Sequence, residues 1–322
     1  MKQFKILFCS KQYPLTLEFL KKYLSVEKFK IFNCDEKNLS ESIKDVDVAV
    51  PLMSRLTPEI INNAKKLKLI HQFGVGLEGV DIDSATKKKI FVVNIPANKT
   101  GNAYSVSELT LFLIFALLKN LKKANESFNN RIIGYPLGDV ILNKKFLVLG
   151  YGNVGKAVVD ILKKFNVKIY IARRNILDKS TQKVNFITFN NMYKVLPEID
   201  FLIVAIALNN KTKNFVDEKI IFNMKKDSFL INVSRGGTVK YEALLKALKE
   251  NKIKGAGLDV YWDEPFDPDD ELLNFNVITT PHIAGSTTYS YELMAKFMAR
   301  NIKRVFLYKK TPLSCQNFKF LQ

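Results

Sequence analysis

Three side chains of complementary chemistry stand in the last third of the chain, each shortly after an apolar run. Arg235 follows SFLIN, Glu264 follows GAGLDVYW, and His282 follows NVITT. Residues just beyond the ends of parallel strands converge on the ligand crevice of an α/β sheet. We therefore expect these three residues, which are distant in sequence, to share one site.

The chemistry that suits such a set is narrow. A histidine exchanges a proton near neutral pH, and a neighbouring carboxylate fixes one imidazole tautomer and stabilises the imidazolium. A guanidinium binds a carboxylate through two hydrogen bonds or polarises a carbonyl. Taken singly, each residue also has a structural interpretation, which is the one we favour for His71 in KLKLIHQFG. The three together, in this order, favour catalysis.

The first hundred residues alternate between strand and helix patterns. FKILFC, FKIFNC, DVAVPLM, LKLIHQFG and IFVVNIP are typical of strands, and TLEFLKKYL, PEIINNAKKL and DIDSATKKK of helices. This alternation predicts a parallel sheet. The glycine-rich turn QFGVGLEGVD, between a strand and a helix, offers unobstructed backbone N–H groups that suit a carboxylate.

A long helix is predicted from about Asn102 to Glu126. It contains the densest apolar run of the chain, LTLFLIFALL, and its apolar residues are not confined to one face. Such a helix must be covered on more than one side, which a hinge or a subunit contact would do. Further strand patterns follow in DFLIVAIAL, DSFLINVS, IKGAGLDV and NVITT, and the chain closes on the helical pattern TTYSYELMAKFMARNIKRVFLY.

A dinucleotide-binding fingerprint lies near the middle of the chain. The strand FLVLG runs into Gly150, Gly152 and Gly155, and a helix and a second strand, VKIYIA, follow. The first glycine of GxGxxG permits a tight turn, the second lets the backbone approach a pyrophosphate, and the third lets the helix pack on the strand. The pattern is weak alone and strong in this strand–turn–helix setting. It predicts a nicotinamide dinucleotide.

The end of the second strand of this unit bears on which nicotinamide cofactor binds. NAD-binding units usually carry Asp or Glu there, whereas this chain has Arg173 and Arg174. An arginine pair cannot accept hydrogen bonds from a ribose, but it can bind a 2′-phosphate. We therefore favour NADP(H). The alternative is that both arginines are solvated and that NAD(H) binds.

Length and composition set broad limits. At 322 residues the chain suits two domains, and its 47% apolar and 25% charged residues are ordinary for a globular protein. No apolar run reaches the length of a membrane span, and the amino end does not resemble a secretory signal. The three cysteines are widely spaced and are interpreted as reduced, which favours the cytoplasm, and no metal site is expected.

The net charge of +19 is unusual. One interpretation is a phosphate-rich partner such as nucleic acid. The other is a lysine-rich composition spread over solvated surfaces. Because the lysines occur almost everywhere and no basic helix is interleaved with aromatic residues, we favour the second and do not expect nucleic-acid binding. The charge would also attract anionic substrates.

NVSRGG, EALLKAL, GAGLDV, DEP and TPHIAG occur in the order and spacing of the D-isomer-specific 2-hydroxyacid dehydrogenases. The chain resembles this family, which includes D-3-phosphoglycerate dehydrogenases and glyoxylate/hydroxypyruvate reductases, from GVGLEGVDID to the final helix. GNAYSVSE and DEPFDPDD are most similar to the phosphoglycerate dehydrogenase-like members. The resemblance implies a flavodoxin-like substrate domain (residues 1–100) and an inserted Rossmann cofactor domain (101–285), both doubly wound parallel α/β folds. Residues 286–322 would complete the substrate domain. It also implies a ligand cleft between the domains and a homodimer formed through the cofactor domain.

The resemblance implies a role for each catalytic candidate. Arg235 of NVSRGG would hold the carboxylate or keto oxygen of the substrate, His282 of TPHIAG would be the acid/base, and Glu264 of DEP its partner. Val75 and Gly76 would offer backbone N–H groups to the substrate carboxylate.

The remaining site residues implied by the resemblance contact the cofactor or the substrate. Asn102 would be a further substrate contact. Asp259 would meet the nicotinamide amide, Ser234 would line the nicotinamide side, and Asn153 and Val154 would lie over the pyrophosphate.

The reaction that the resemblance implies is reversible reduction of a small 2-keto acid to a D-2-hydroxy acid. Some relatives, the C-terminal-binding-protein corepressors, use the same fold and cofactor to control assembly, so a binding protein with little turnover is the alternative function. Pro51 stands where phosphoglycerate enzymes tend to carry an arginine, and Arg55 is nearby, so phosphorylated and unphosphorylated substrates both remain open.

Overall fold

The computed structural model describes residues 3–175 and 180–321. Its contacts divide the chain into two compact units. The first consists of Met1–Asn102 together with Thr287–Gln322, and the second is Ala103–Ser286.

The first unit contains a parallel sheet of five strands. In chain order these are β1 (Phe4–Phe8), β2 (Phe29–Asn33), β3 (Val48–Val50), β4 (Leu69–His71) and β5 (Phe91–Val93). Their spatial order is β2-β1-β3-β4-β5, which is the flavodoxin-like doubly wound order. The predicted flavodoxin-like sheet is therefore confirmed.

The second unit contains a parallel sheet of seven strands. These are β6 (Lys145–Leu149), β7 (Lys168–Arg173), β8 (Val184–Thr188), β9 (Phe201–Val204), β10 (Phe229–Asn232), β11 (Gly255–Leu258) and β12 (Val277–Thr279). Their order is β12-β11-β10-β9-β6-β7-β8, so the direction of winding reverses between β6 and β9. This is the Rossmann order with one added strand, and ligands of such sheets bind at that reversal, outside the carboxyl ends of the strands.

Ten α-helices connect or cover these strands in the described residues: α1 (Pro14–Lys21), α2 (Leu39–Ser42), α3 (Pro58–Asn63), α4 (Ile82–Lys87), α5 (Asn102–Leu118), α6 (Leu121–Asn129), α7 (Asn153–Leu162), α8 (Glu218–Phe222), α9 (Tyr241–Lys249) and α10 (Thr288–Phe306). The last helix packs in the first unit, where Met298 and Ile302 are fully buried with Leu20 of α1.

The strands are buried on both faces. Ile6 and Leu7 of β1 and Leu147 and Val148 of β6 have no exposed surface, although neighbouring residues point to opposite faces of a sheet. Helices on both faces of a parallel sheet explain why these strands are continuous apolar runs in the sequence.

The prediction of one helix from Asn102 to Glu126 is wrong. The segment consists of α5 and α6, which are bent by 57° at a short break. Asn120 adopts a left-handed backbone with φ of 50°, which asparagine tolerates better than most residues, and its side chain donates to the carbonyl of Leu137 at 2.7 Å. Among the described residues no single helix has the length and hydropathy of a membrane span, and α5 and α6 reach them only as this bent pair.

Candidate active site

Glu264 and His282 are in direct contact. His282 Nδ1 lies 2.6 Å from Glu264 Oε2, and the two side chains are 24% and 13% exposed. Because an ionised carboxylate only accepts hydrogen bonds, Nδ1 carries the hydrogen of this bond. The other ring nitrogen, Nε2, makes no hydrogen bond among the described residues.

The carboxylate of Glu264 is held in its charged form. Burial raises the pKa of Glu264, but the hydrogen bond and charge of His282, the backbone N–H of Tyr261 and the charge of Arg235 together bring it below its ordinary value. Glu264 Oε1 accepts from Tyr261 N at 3.1 Å, so both carboxylate oxygens are engaged.

A glycine lets the loop after β10 approach the loop after β11. A Cβ atom added to Gly236 would lie 2.0 Å from the carbonyl carbon and oxygen of Tyr261, so only glycine fits without a backbone shift. This approach places Arg235, the residue before Gly236, within electrostatic reach of Glu264. In NVSRGG, Arg235 thus supplies the charge, and Gly236 permits the close approach to Tyr261 that brings this charge near Glu264.

The turn that carries Arg235 is fixed by a buried amide that the sequence analysis missed. Asn232, 1% exposed at the end of β10, donates from Nδ2 to the carbonyl of Arg235 at 2.9 Å. Its Oδ1 accepts from the backbone N–H of Ser234 at 3.1 Å and from Ser234 Oγ at 2.9 Å. The signal in the sequence was that Asn232 is a polar residue at the end of the apolar strand FLIN.

Asp259 organises the loop that carries His282. Its Oδ1 accepts from Thr280 Oγ1 at 2.6 Å and from Ile283 N at 2.9 Å, and its Oδ2 accepts from Ala284 N at 3.0 Å. His282 itself has a left-handed backbone with φ of 55°, a conformation that β-carbon sterics disfavour. Burial raises the pKa of Asp259, although these hydrogen bonds and the charge of His282 oppose the rise.

The glycine fingerprint has the geometry that a dinucleotide requires. Gly150 is left-handed with φ of 96°, and a Cβ on Gly155 would lie 2.3 Å from the carbonyl oxygen of Gly150. By contrast, a Cβ on Gly152 would meet nothing within 4 Å, so this position faces open space. Asn153 and Val154 begin α7 directly after it, where helix N–H groups suit a phosphate. The residues present therefore fit a pyrophosphate at this turn.

Arg173 lies beside the same turn. It ends β7, and its guanidinium carbon is 5.8 Å from the ring centroid of Tyr151, between Gly150 and Gly152. The Nζ atom of Lys156 is 5.5 Å from the same ring. Arg174 is exposed. The surroundings of the turn at Tyr151 are thus basic.

In the first unit, Val75 and Gly76 follow the carboxyl end of β4. Over the described ranges, neither backbone N–H donates a hydrogen bond within the protein, whereas their carbonyls accept from Asn94 and Gln72. Gln72 was also missed by the sequence analysis. It is buried, its Oε1 accepts from Leu52 N at 3.1 Å, and its Nε2 donates to Leu52 O at 2.7 Å, so it joins this loop to the one after β3. Asn102 is the first residue of α5.

Comparisons with known proteins identify the family. The model of the D-isomer-specific 2-hydroxyacid dehydrogenase NAD-binding domain matches residues 111–284. A glyoxylate reductase from Pyrococcus furiosus is 33% identical over 274 residues, which cover 83% of this chain and 81% of that protein. The chain belongs to the D-isomer-specific 2-hydroxyacid dehydrogenase family. The predicted family and the predicted NAD(P)-dependent D-2-hydroxyacid dehydrogenase are thereby confirmed.

Other members of the family show the range of this resemblance. A D-3-phosphoglycerate dehydrogenase from Methanocaldococcus jannaschii is 34% identical over 278 residues, which cover 84% of this chain and 52% of that protein. The structure of an NADPH-dependent glyoxylate/hydroxypyruvate reductase from Sinorhizobium meliloti in complex with NADP and malonate has a TM-score of 0.81 and 26% identity, over 95% of this chain and 94% of that one. An NAD-dependent formate dehydrogenase from Staphylococcus aureus in complex with NAD has a TM-score of 0.82 at 22% identity, which shows the fold alone.

Proposed function

We propose that this dehydrogenase reduces a small, unphosphorylated 2-keto acid to the D-2-hydroxy acid, with Arg235, Glu264 and His282 as its catalytic residues. The observation that carries the proposal is the 2.6 Å contact between His282 and an ionised Glu264, with the charge of Arg235 acting on the same carboxylate. The stoichiometry is 2-keto acid plus NAD(P)H plus a proton, giving 2-hydroxy acid plus NAD(P)⁺.

His282 delivers the proton. When bound, the reduced nicotinamide supplies a hydride to the keto carbon, and negative charge then develops on the keto oxygen. Protonated His282 donates from Nε2 to that oxygen, while Glu264 holds Nδ1–H and offsets the positive charge of the ring. Donation leaves the neutral tautomer with its hydrogen on Nδ1, which the Glu264 contact already selects. In the oxidative direction the same nitrogen accepts the proton.

Arg235 and the loop at Val75 and Gly76 bind and orient the substrate. The guanidinium of Arg235 stabilises the developing oxyanion and pairs with the substrate carboxylate. Positioning of this kind lowers the activation free energy by several kcal/mol. The N–H groups of Val75 and Gly76 donate to the substrate carboxylate, with Asn102 a further contact. In this assignment the first unit is the substrate domain and the second the cofactor domain.

The cofactor is assigned to the turn formed by Gly150, Gly152 and Gly155. Asn153 and Val154 bind the pyrophosphate, and Ser234 and Asp259 line the nicotinamide end. Arg173 and Arg174 favour NADP(H) over NAD(H), because they supply positive charge where an acid would otherwise bind the ribose. Comparison of kcat/KM for NADPH and NADH tests this preference, and a clear advantage for NADH would contradict it.

The substrate is tested with a panel of keto acids. Glyoxylate, hydroxypyruvate, pyruvate, 2-ketoglutarate, phosphohydroxypyruvate and a branched keto acid are each assayed with NADPH and NADH. We expect the highest kcat/KM with glyoxylate or hydroxypyruvate, the substrates named for the similar reductases. A strong preference for phosphohydroxypyruvate would refute the unphosphorylated substrate, and no turnover with any keto acid would refute the enzymatic proposal.

We also propose that the protein is a homodimer formed through the second unit. This unit exposes large apolar side chains between residues 128 and 142, among them Ile133 (98% exposed), Leu137 (85%) and Phe128 (83%). Exposed apolar surface of this density marks a protein contact, and a homodimer would bury it. Mass measurement in solution should give a dimer, and Ile133→Lys with Leu137→Lys should give a monomer. Val26→Lys, which changes an exposed valine of the first unit, is the control.

A cytoplasmic location remains a prediction.

A further inference from the structure

The first unit contains a cleft that the reductase chemistry does not use. It has a volume of about 950 Å³ and is lined by seven lysines and a single acid, Asp47. The lysines come from three segments, residues 65–68, 88–89 and 309–310. We refer to it as the lysine cleft.

The lysine cleft lies at the edge of the sheet opposite to Val75 and Gly76. Phe4 and Phe91, which begin β1 and β5, line it, and so does Lys68, the residue before β4. All three mark the amino ends of strands, whereas Val75 and Gly76 follow the carboxyl end of β4. The lysine cleft is therefore separate from the proposed substrate contacts of the same unit.

Most of the lysine ammonium groups are not neutralised within the protein. Lys66 forms an ion pair with Asp45, Lys88 donates to the carbonyls of Ile61 and Asn62 at 3.0 and 2.8 Å, and Lys309 donates to the carbonyl of Phe306. The other four have no ion pair among the described residues; these are Lys65, Lys68, Lys89 and Lys310.

Helix dipoles alone do not account for so much positive charge. The lining segments follow the carboxyl ends of α3, α4 and α10, each of which carries roughly half a negative charge. Seven lysines exceed Asp47 and these three helix ends by about 4.5 charges. In addition, Lys89 and Lys309 adopt left-handed backbones with φ of 58° and 53°, where glycine or asparagine would be less strained.

The floor of the lysine cleft is apolar and partly aromatic. Phe4 and Phe306 lie with ring centroids 4.9 Å apart, and Phe91 and Val305 line the same cleft. A volume of about 950 Å³ suits a small molecule. The charge requires a ligand with several phosphates, and the floor suits a planar base that stacks on an aromatic ring.

We propose that the lysine cleft binds a nucleoside polyphosphate, with the phosphates on Lys65, Lys68, Lys89 and Lys310 and the base on the phenylalanine floor. This site is distinct from the glycine turn that is assigned to the nicotinamide cofactor. It does not depend on the keto-acid reductase assignment.

The test is calorimetric titration of the full chain with ATP in the presence of saturating NADPH, which occupies the dinucleotide site. We expect ATP to bind at a second site and Lys65→Glu with Lys89→Glu to weaken it by at least about tenfold, or about 1.4 kcal/mol. Lys11→Glu with Lys37→Glu makes the same charge change on exposed lysines that follow the carboxyl ends of β1 and β2, and should change ATP affinity by less than about twofold. Both double variants should retain NADPH-dependent turnover, which establishes that they fold.

Three results would overturn the proposal. The first is no ATP binding at low millimolar concentration, or equal weakening by both double variants. The second is equal affinity for inorganic tripolyphosphate, which would mean that a base on the phenylalanine floor adds nothing to binding. The third is tighter binding of a single-stranded oligonucleotide than of ATP, with the same loss in Lys65→Glu with Lys89→Glu, which would make the ligand a nucleic acid.

Discussion

Replacement of Glu264 by glutamine tests the proposed acid/base pair most specifically. Glu264 accepts from Tyr261 N through one oxygen and from His282 Nδ1 through the other. Glutamine satisfies Tyr261 with its carbonyl oxygen, which turns its NH₂ group toward Nδ1. That arrangement requires a bare Nδ1 and places the hydrogen of the neutral ring on Nε2. The variant therefore loses the negative charge and also selects the tautomer that cannot result from proton donation by Nε2.

The charge effect can be estimated from the geometry. Two unit charges about 4 Å apart attract by roughly 4 kcal/mol at an effective dielectric constant of about 20. Desolvation of this partly buried pair offsets some of that, and if about half remains, the pair contributes about 2 kcal/mol that glutamine removes. At about 1.36 kcal/mol per factor of ten, its loss corresponds to roughly 30-fold in kcat/KM. The tautomer effect should lower kcat itself by roughly 10²- to 10⁴-fold.

The assay is the pH dependence of NADPH-driven reduction of the best keto acid, with NADPH affinity measured in parallel. Asp263→Asn is the matched control, because it removes one negative charge from the adjacent, exposed position. The control should keep the native profile, and both variants should bind NADPH normally. Turnover at the native rate in Glu264→Gln, or an equal loss of turnover in Asp263→Asn, would refute the pairing argument.

Three further predictions concern the residues that build the site. Gly236→Ala should destabilise the protein by about 1–3 kcal/mol in urea unfolding and reduce kcat, because its Cβ overlaps the Tyr261 carbonyl. Gly152→Ala, whose Cβ meets nothing within 4 Å, should keep native stability and weaken cofactor binding. The reverse pattern would contradict both assignments. Asp259→Asn leaves an NH₂ group facing a backbone donor of the His282 loop, so kcat should fall about tenfold while the KM for NADPH changes little. A rise in the KM for NADPH with kcat unchanged would instead show that Asp259 acts only by contacting the nicotinamide. Burial lowers the pKa of His71 to about 4 from 6.5, so its neutral form contributes stability that is complete above pH 6.5 and is lost as pH falls toward 4. The free energy of unfolding should drop by about 2 kcal/mol between about pH 7.5 and about pH 5. A His71→Gln variant with the same pH dependence would contradict this.

The sequence predicted the sheets because both are parallel and buried on two faces. Continuous apolar runs such as FLVLG and DFLIVAIAL have no other stable location in a chain of this composition. The strand β8, Val184–Thr188, was missed because it is an edge strand with only Val184 fully buried, so its apolar pattern is weak. The break between α5 and α6 was missed because it depends on the left-handed conformation of Asn120, which carries no apolar signal.

At the candidate site, the sequence indicated which residues carry charge and not what holds them. Glu264 and His282 were expected to share a site, and they are in contact because both follow the carboxyl ends of neighbouring strands, β11 and β12. The contributions of Asn232 and Gln72 depend on hydrogen bonds to backbone groups of particular loops, and loop conformation does not follow from residue type. The close approach at Gly236 likewise requires the position of Tyr261, 25 residues further along the chain.

The most direct test of the central claim is single-turnover reduction of glyoxylate by His282→Ala, with NADPH affinity measured on the same preparation. If His282 is the proton donor, the rate should fall by at least roughly 10²-fold, because the developing oxyanion loses its acid. The Kd for NADPH should stay within about twofold, since the glycine turn is unchanged. Turnover at the native rate, with the cofactor bound as tightly as before, would contradict the assignment of His282 as the acid.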